Sequence, residues 1–594
     1  MVLSTHTWSP RVCSGCDCPN HHSPSTTSCD EEAVHAGPTF DSLLRSNDPP
    51  SPSEERELRD SISVGEAHIV AIDNHVTALK KLQQALSSQL ALIGAGLESL
   101  DNERGKVVAR IAQHKRLFSP VRRLPPEILF KIFLGTVIFP MPRTRSQRYK
   151  DWWDFHPSES ALWSIELVCK TWRRAVLDFP ELWSSINISL SDDNFSPSNF
   201  RYTRRLGRQV ARTRCHPVSI LMYAGSPQTS FQTLPPELRM LLFSIQDRIL
   251  SLYLYLPPAF FHSVANLQLS LPILRNLTLL STDSEKLHTL PRMTLFADAP
   301  LLNTLDAVDI RSVVHVLDLP YQQITRYSTY HVFQRLFPTG PQTYDILSVL
   351  SKVENLEECD LRCEGRSAQL EENIPQSCQK LRALTLSSCL YACPESDLAQ
   401  LLDALVVPHL SNLKVHCCVP RGRERDNKTF TAIRGLISRS QSPLTTFHFT
   451  HGNMDETDLL TFFRSASSTL QEVKLLDVGP MALTDGILAP LVISDVDNVL
   501  LPRLHTLNIS GVMQFNTSLL VEMVASRWTC KLPSFQCLRT IQLCPVFTTF
   551  KGRSNGESVR FSVLNHLGKY RTEGLELSYR TTWASDWLCT YQTL

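Results

Sequence analysis

Three groups of side chains in this 594-residue chain have the types and spacing to do chemistry. Cys13 and Cys16, with Cys18, His21, His22 and Cys29 close by, offer the sulfur and imidazole donors that zinc takes. No second Cys-x-x-Cys or His pair stands at finger distance, and the surrounding Ser, Thr and Pro build no core. Cys13, Cys16, His21 and Cys29 are the candidate metal ligands, but no resident metal is expected. Arg143, Arg145, Arg148 and Lys150 lead into Trp152 and Trp153, a basic and aromatic mix of the kind that meets RNA or a phosphopeptide. A solvated loop with its tryptophans packed on nearby helices accounts for it better, and no nucleic-acid partner is expected. Arg201, Arg204, Arg205, Arg208 and Arg212 recur at helical spacing, with Tyr202, Leu206 and Val210 on another side. That reads as an amphipathic helix with a hydrated basic face. There is no Gly-rich phosphate loop, Gly-x-Ser-x-Gly or His-Glu-x-x-His. No active site and no cofactor are expected; the chain is expected to work by binding.

The bulk numbers narrow what it binds. Net charge is +1, so no global field marks a nucleic-acid or membrane partner. No apolar run reaches bilayer length, and Met1 to Pro10 lacks the basic start and apolar run of a secretory signal. With 17 scattered cysteines, reduced thiols in the cytoplasm or nucleus are expected. The length implies about two to four domains.

The remaining signal is apolar patterning, and it centres on Leu124 to Trp183. Pro125 and Pro126 can open a helix, since their missing N–H groups would be unpaired there anyway. Glu127 follows in the first turn, where it complements the helix dipole. Ile128, Leu129, Ile132 and Phe133 then form an apolar stripe. Leu162, Ile165, Val168, Cys169, Trp172 and Val176 form another, stopped by Asp178-Phe179-Pro180. Two short helices bury their faces against each other, and whatever stays exposed invites a partner. Leu234-Pro235-Pro236-Glu237-Leu238 repeats the opening, but no Val-Cys-x-x-Trp follows, so it reads as an ordinary helix start.

Leu-Pro-Pro-Glu-Ile-Leu with Ile132-Phe133, then Val168-Cys169-Lys170-Thr171-Trp172-Arg173, then Pro180-Glu181-Leu182-Trp183, resembles an F-box. The resemblance implies a small helical module that docks on the Skp-family adaptor of a cullin-RING (SCF) ubiquitin ligase. Carried onto this sequence, the adaptor-binding or supporting residues are Leu124, Pro125, Glu127, Ile128, Ile132, Phe133, Leu167, Val168, Cys169 and Trp172. One departure is the insertion at 135–160, where a compact F-box has a short link; length alone makes such a loop cheap.

A seven-residue repeat precedes this module. One register holds Ile62, Ile69, Val76, Gln83, Leu90, Leu97, Arg104 and Ile111; the other holds Leu58, Gly65, Ile72, Leu79, Leu86, Ile93, Leu100 and Val107. All but Gln83, Arg104 and Gly65 are apolar, over more heptads than a coiled coil requires. Residues 54–118 are expected to be a coiled-coil helix, capped by Ser53, that either self-associates through 58–111 or folds back on its own chain. Residues 1–53 read as a disordered tail. A heptad helix running into Leu-Pro-Pro-Glu also resembles the arrangement in F-box proteins of mushroom-forming fungi (basidiomycetes).

After the module at 119–190, the phrase Leu-x-x-Leu-x-Leu returns: Leu274, Leu277, Leu279; Leu356, Cys359, Leu361; Leu381, Leu384, Leu386; and on to Leu538, Ile541, Leu543. Starts from Leu356 lie 25, 29, 34, 26, 34 and 34 residues apart, with helix-like stretches between. This pattern predicts a leucine-rich-repeat-like α/β solenoid over 200–594, its strands in one parallel sheet. Cys389 and Cys418 fall where that repeat takes Asn or Cys, which makes them structural. Val218 to Tyr223 and Ile249 to Leu256 are expected to join the sheet; between 280 and 350 the register cannot be followed. Outward positions such as Arg362, His416, His448 and His451 are available to hold a target protein.

Overall fold

Alternation at period two turns the repeated phrase into strands, because successive side chains point to opposite faces. Leu384 and Leu386, Leu413 and Val415, Phe447 and Phe449, and Val473 and Leu475 are all buried on one face. The leucine three residues ahead of each strand's first buried position, such as Leu381, Leu410, Leu444 and Leu470, is buried where the chain enters the sheet. In the computed structural model these phrases build one 15-stranded, wholly parallel sheet, from Ser185–Ser189 to Glu576–Tyr579, whose main path follows chain order. Parallel neighbours need crossovers. Helices such as Glu395–Asp403, Lys428–Ser440, Glu456–Ser465 and Thr517–Thr529 supply them.

The structure describes residues 40–45, 48–118, 120–137, 161–191, 194–195, 200–224, 233–281, 290–308, 310, 312–330, 343–363, 376–388, 395–417, 427–476, 483–494, 499–511, 513–530, 535–547, 563, 565–579 and 582–583. Cys13, Cys16, His21 and Cys29, most of the 135–160 insertion, Cys389 and Cys418 lie outside them.

The register lost between 280 and 350 is present in disguise. Leu302, Leu305 and Ala307, then Ile324, Tyr327 and Thr329, hold the same three positions and are buried. Their strands, Thr304–Val308 and Arg326–Tyr330, pair in step between Asn276–Ser281 and Glu358–Cys363. Ala, Tyr and Thr hide the phrase from a search for Leu. The sheet also starts earlier than residue 200: Ser185–Ser189 pairs with Val218–Tyr223, within the stretch assigned to the helical module.

Packing behind the sheet is dense. Phe447 packs at a tilt against Phe462, 4.5 Å between ring centroids, and Phe430 lies 5.4 Å from Phe449. Arg527, on the Thr517–Thr529 helix, is fully buried without a carboxylate partner among the described residues. It donates to the carbonyls of Leu491 at 2.6 Å, Leu500 at 2.5 Å and Leu501 at 2.9 Å. Burial lowers its pKa to about 10, so it stays charged at neutral pH.

Residues 1–123 and 124–594 are separate compact units. The first is dominated by one α-helix, Pro52–Leu117, of 66 residues. Ser51 caps it, not Ser53: the Ser51 backbone N–H donates to Glu54 Oε2 at 2.8 Å and the Glu54 N–H to Ser51 Oγ at 3.4 Å. That is a reciprocal capping box with Pro52 at the first helical position. Within the stretch read as disordered, Asp41–Arg45 forms a short helix. Every residue from 59 to 115 of the long helix is exposed. No helix among the described residues is long and apolar enough to cross a membrane.

Candidate functional site

Leu-Pro-Pro-Glu does start a helix, Pro126–Leu134, with Pro125 extended ahead of it. Its apolar residues divide between two sides. Leu129 and Phe133 are buried; Ile128 and Ile132 are 41% and 50% exposed. The second stripe, expected as a single helix, breaks in two. Leu162–Ile165 is one turn, and a new helix runs from Lys170 to Asp178. Cys169 stands extended between them and caps the second helix, its Sγ accepting the Trp172 N–H at 3.5 Å. This break turns Leu167 and Val168 outward, to 79% and 60% exposure.

Leu129, Phe133, Leu162, Ala175, Val176, Leu182 and Trp183 form the module's own core, with Leu124 and Trp172 packed at its margin. Trp172 meets Phe133 edge-on at 5.1 Å. That contact ties the turn carrying Leu167, Val168 and Cys169 to the end of the helix carrying Ile132. Trp183 Nε1–H donates to the Val176 carbonyl at 2.8 Å, locking the module's last turn. Of the ten residues carried over from the resemblance, Pro125, Glu127, Ile128, Ile132, Leu167, Val168 and Cys169 are thus exposed, Leu124 and Trp172 half-buried, and Phe133 buried. The last three can act only as support from within or at the rim.

The second Leu-Pro-Pro-Glu is a control supplied by the chain itself. Leu234 is buried, its N–H donating to Ser263 Oγ at 3.0 Å, and its helix, Pro236–Ile245, buries Leu238 and Leu242. These are the counterparts of Ile128 and Ile132. One copy of the phrase seals that side into the core of its own unit; the other leaves it open.

The basic helix, Phe200–Arg212, is not merely a hydrated face. Arg212 lies over the rings of Trp163 at 4.5 Å and Trp183 at 4.3 Å, and its Nη2 meets Glu166 at 2.9 Å. Arg205 also lies over the Trp163 ring, at 4.8 Å. Gln209 Nε2 donates to the carbonyls of Trp183 and Ser185. Together these fasten the helical module to the first strand. Arginine spacing gave no hint of this, because the receiving tryptophans lie far off in sequence.

The open face of the sheet carries a second feature. Lys414, His448 and Lys474 occupy the same register position on three adjacent strands. Glu472 accepts from Lys474 Nζ at 2.5 Å and lies 3.1 Å from His448 Nε2. Burial, then the charge of Lys474, pulls the His448 pKa down to about 4. Burial opposes ionisation of Glu472, but hydrogen bonds from Lys474 and His448 outweigh it and lower its pKa. Of the other outward residues, Arg362 and His416 share a neighbouring row and each has an interaction partner; His451 sits just past its strand with φ of 61°. No group of three or more metal-ligating side chains occurs among the described residues.

A comparison with protein-family models finds no match, and a comparison with curated proteins finds no significant one. The functional reading therefore rests on this geometry.

Proposed function

We propose that the chain is the substrate-recognition (F-box) subunit of an SCF cullin-RING ubiquitin ligase. Its helical module docks the Skp-family adaptor, and through it a cullin, while a leucine-rich-repeat-like solenoid holds a target protein on the open sheet face. The observation that carries this reading is the exposed apolar edge of Ile128, Ile132, Leu167 and Val168 on a module whose opposite side is fully packed. Exposed apolar groups gathered on one small rigid element mark an interaction site. The protein is non-catalytic in this reading: tethering raises the effective concentration of target near the ubiquitin donor. It works in the cytoplasm or nucleus, where such ligases meet their targets.

Co-expression of the full chain with a Skp-family adaptor tests this. The adaptor should co-purify, and an Ile128→Asp, Ile132→Asp double variant should lose it while keeping its thermal transition. An intact chain that ignores the adaptor refutes the proposal. A second reading, a scaffold assembled by the long helix without ligase coupling, is favoured by that helix's exposed stripe. It expects unchanged assembly in the double variant and no adaptor at all.

A further inference from the structure

The Pro52–Leu117 helix is not a self-sufficient structure. Its two heptad registers place thirteen apolar residues along one seam, and Ile62, Ile69, Leu90, Ile93, Leu97 and Leu100 are each more than half exposed. A stripe sustained over this many heptads requires a covering helix. The three positions that break it say which helix.

In a parallel pair like positions meet, so Arg104 would face Arg104, two like charges in the seam. Gly65 would face Gly65, leaving a gap with no side chain from either strand. Reversing one helix sets each register against the other. With the two stripes aligned end to end, Leu58 falls opposite Ile111, Ile62 opposite Val107, Gln83 opposite Leu86, and Gly65 opposite Arg104. The largest seam residue then meets the smallest, twice, by symmetry. A Cβ added at Gly65 meets nothing within 4 Å, so the space is free in the single chain. The arginine stem can fill that space and carry its guanidinium out to water.

We propose that this helix pairs with the same helix of a second copy, antiparallel, with Arg104 of each copy seated over Gly65 of the other. The match is self-complementary, as a two-fold interface must be, and this is why the occupant is another copy of this chain. The inference does not depend on adaptor docking, and self-association is measured without the adaptor.

Sedimentation equilibrium of the full chain tests it with Gly65→Leu, Arg104→Ala and the double variant. The parent chain should dimerise. Gly65→Leu should weaken the dimer about tenfold, the scale of overpacking one layer. Adding Arg104→Ala should restore it. Positions 65 and 104 lie about 58 Å apart along one helix at 1.5 Å per residue, so they can couple only through a reversed partner. Circular dichroism should show equal helix content throughout. Additive effects, or a dimer strengthened by Gly65→Leu alone, would point to a parallel pair and overturn the proposal. A chain that stays monomeric overturns it too, in favour of a helix that covers its stripe within its own molecule.

Discussion

Ile132 and Leu242 each stand eight residues after the leucine of a Leu-Pro-Pro-Glu opening, yet Ile132 is 50% exposed and Leu242 is 1% exposed. The difference is a rotation. Successive residues advance about 100° around a helix, so a helix that buries Leu129 and Phe133 turns Ile128 and Ile132 out. The first helix is held on that side by Trp172, Val176 and Trp183, a small aromatic core. The second lies over the parallel sheet and buries the other side. The opening is the same, but the residues behind it are not: Arg239 stands where the first helix has the buried Leu129, and Leu241 where it has Lys131, so side chains and packing together decide which face is presented.

This relationship gives opposite expectations for one substitution at two equivalent sites. Leu242→Asp places an unpaired carboxylate in the core and should cost more than about 3 kcal/mol. Ile132→Asp should move stability by about 0.5 kcal/mol or less while removing adaptor capture. Urea unfolding of both variants, read beside the pull-down, separates a lost surface from a lost fold. If Ile132→Asp unfolds the module as Leu242→Asp does, the exposed edge is structural.

Arg212 should matter more than any other arginine of its helix. Replacing it by Ala removes two tryptophan contacts and leaves the largely buried Glu166 carboxylate without its cation. The expected loss is roughly 2–3 kcal/mol. Arg212→Lys should recover only part, because a compact ammonium cannot cover two rings and meet Glu166 at once as the planar guanidinium does. Tryptophan fluorescence during denaturation checks this, since Trp163 and Trp183 report directly; an unchanged midpoint in Arg212→Ala would refute it.

The sheet was legible because its buried positions are chemically uniform: leucine at three fixed places needs only a period to be seen. It faded between 280 and 350, where Ala307, Tyr327 and Thr329 fill the same places, since the pocket between strands fixes position more strictly than side-chain type. In the helical module the apolar stripes were legible, but not their division. Sequence spacing made Ile128, Leu129, Ile132 and Phe133 one face, whereas two are core and two are surface. Nor did the pattern show the break at Cys169, because a thiol acting as a helix cap leaves the apolar period intact. The seat of Arg212 over two tryptophans and the triple carbonyl grip of Arg527 are long-range contacts, and no local rule reports them.

The Lys414–His448–Lys474 row predicts an acid-sensitive sheet. In the unfolded chain His448 titrates near 6.5; in the fold its pKa is lowered to about 4. Between those values the unfolded state binds the extra proton, so folding stability rises with pH across that window and falls on acidification. Glu472 acts in the same sense at lower pH: its folded pKa is also lowered, so its stabilisation is lost as it protonates. Urea midpoints at pH 7, 6 and 5 should therefore drop more in the parent chain than in His448→Gln, whose amide can still donate to Glu472. Parallel pH curves for the two proteins would show that His448 is protonated freely in the fold.

Arg527 predicts the largest single-residue effect on the C-terminal part of the sheet. With no carboxylate partner among the described residues, its buried charge is met by three carbonyls, from Leu491, Leu500 and Leu501, that converge on the guanidinium. Leu501 has a φ of 55°, a left-handed backbone that a leucine adopts only under constraint. Arg527 and the Leu504 N–H both hold its carbonyl, and its own N–H donates to Ser467 Oγ at 2.9 Å. Arg527→Met keeps the apolar stem but strands the Leu491 and Leu500 carbonyls and leaves that of Leu501 only the Leu504 N–H, at about 3 kcal/mol. Arg527→Lys has the charge but not the planar fork that spans three separate oxygens, and should lose nearly as much. Urea denaturation of both variants is the check: if methionine is tolerated within about 1 kcal/mol, the three carbonyls find water instead and the loop holds its own shape.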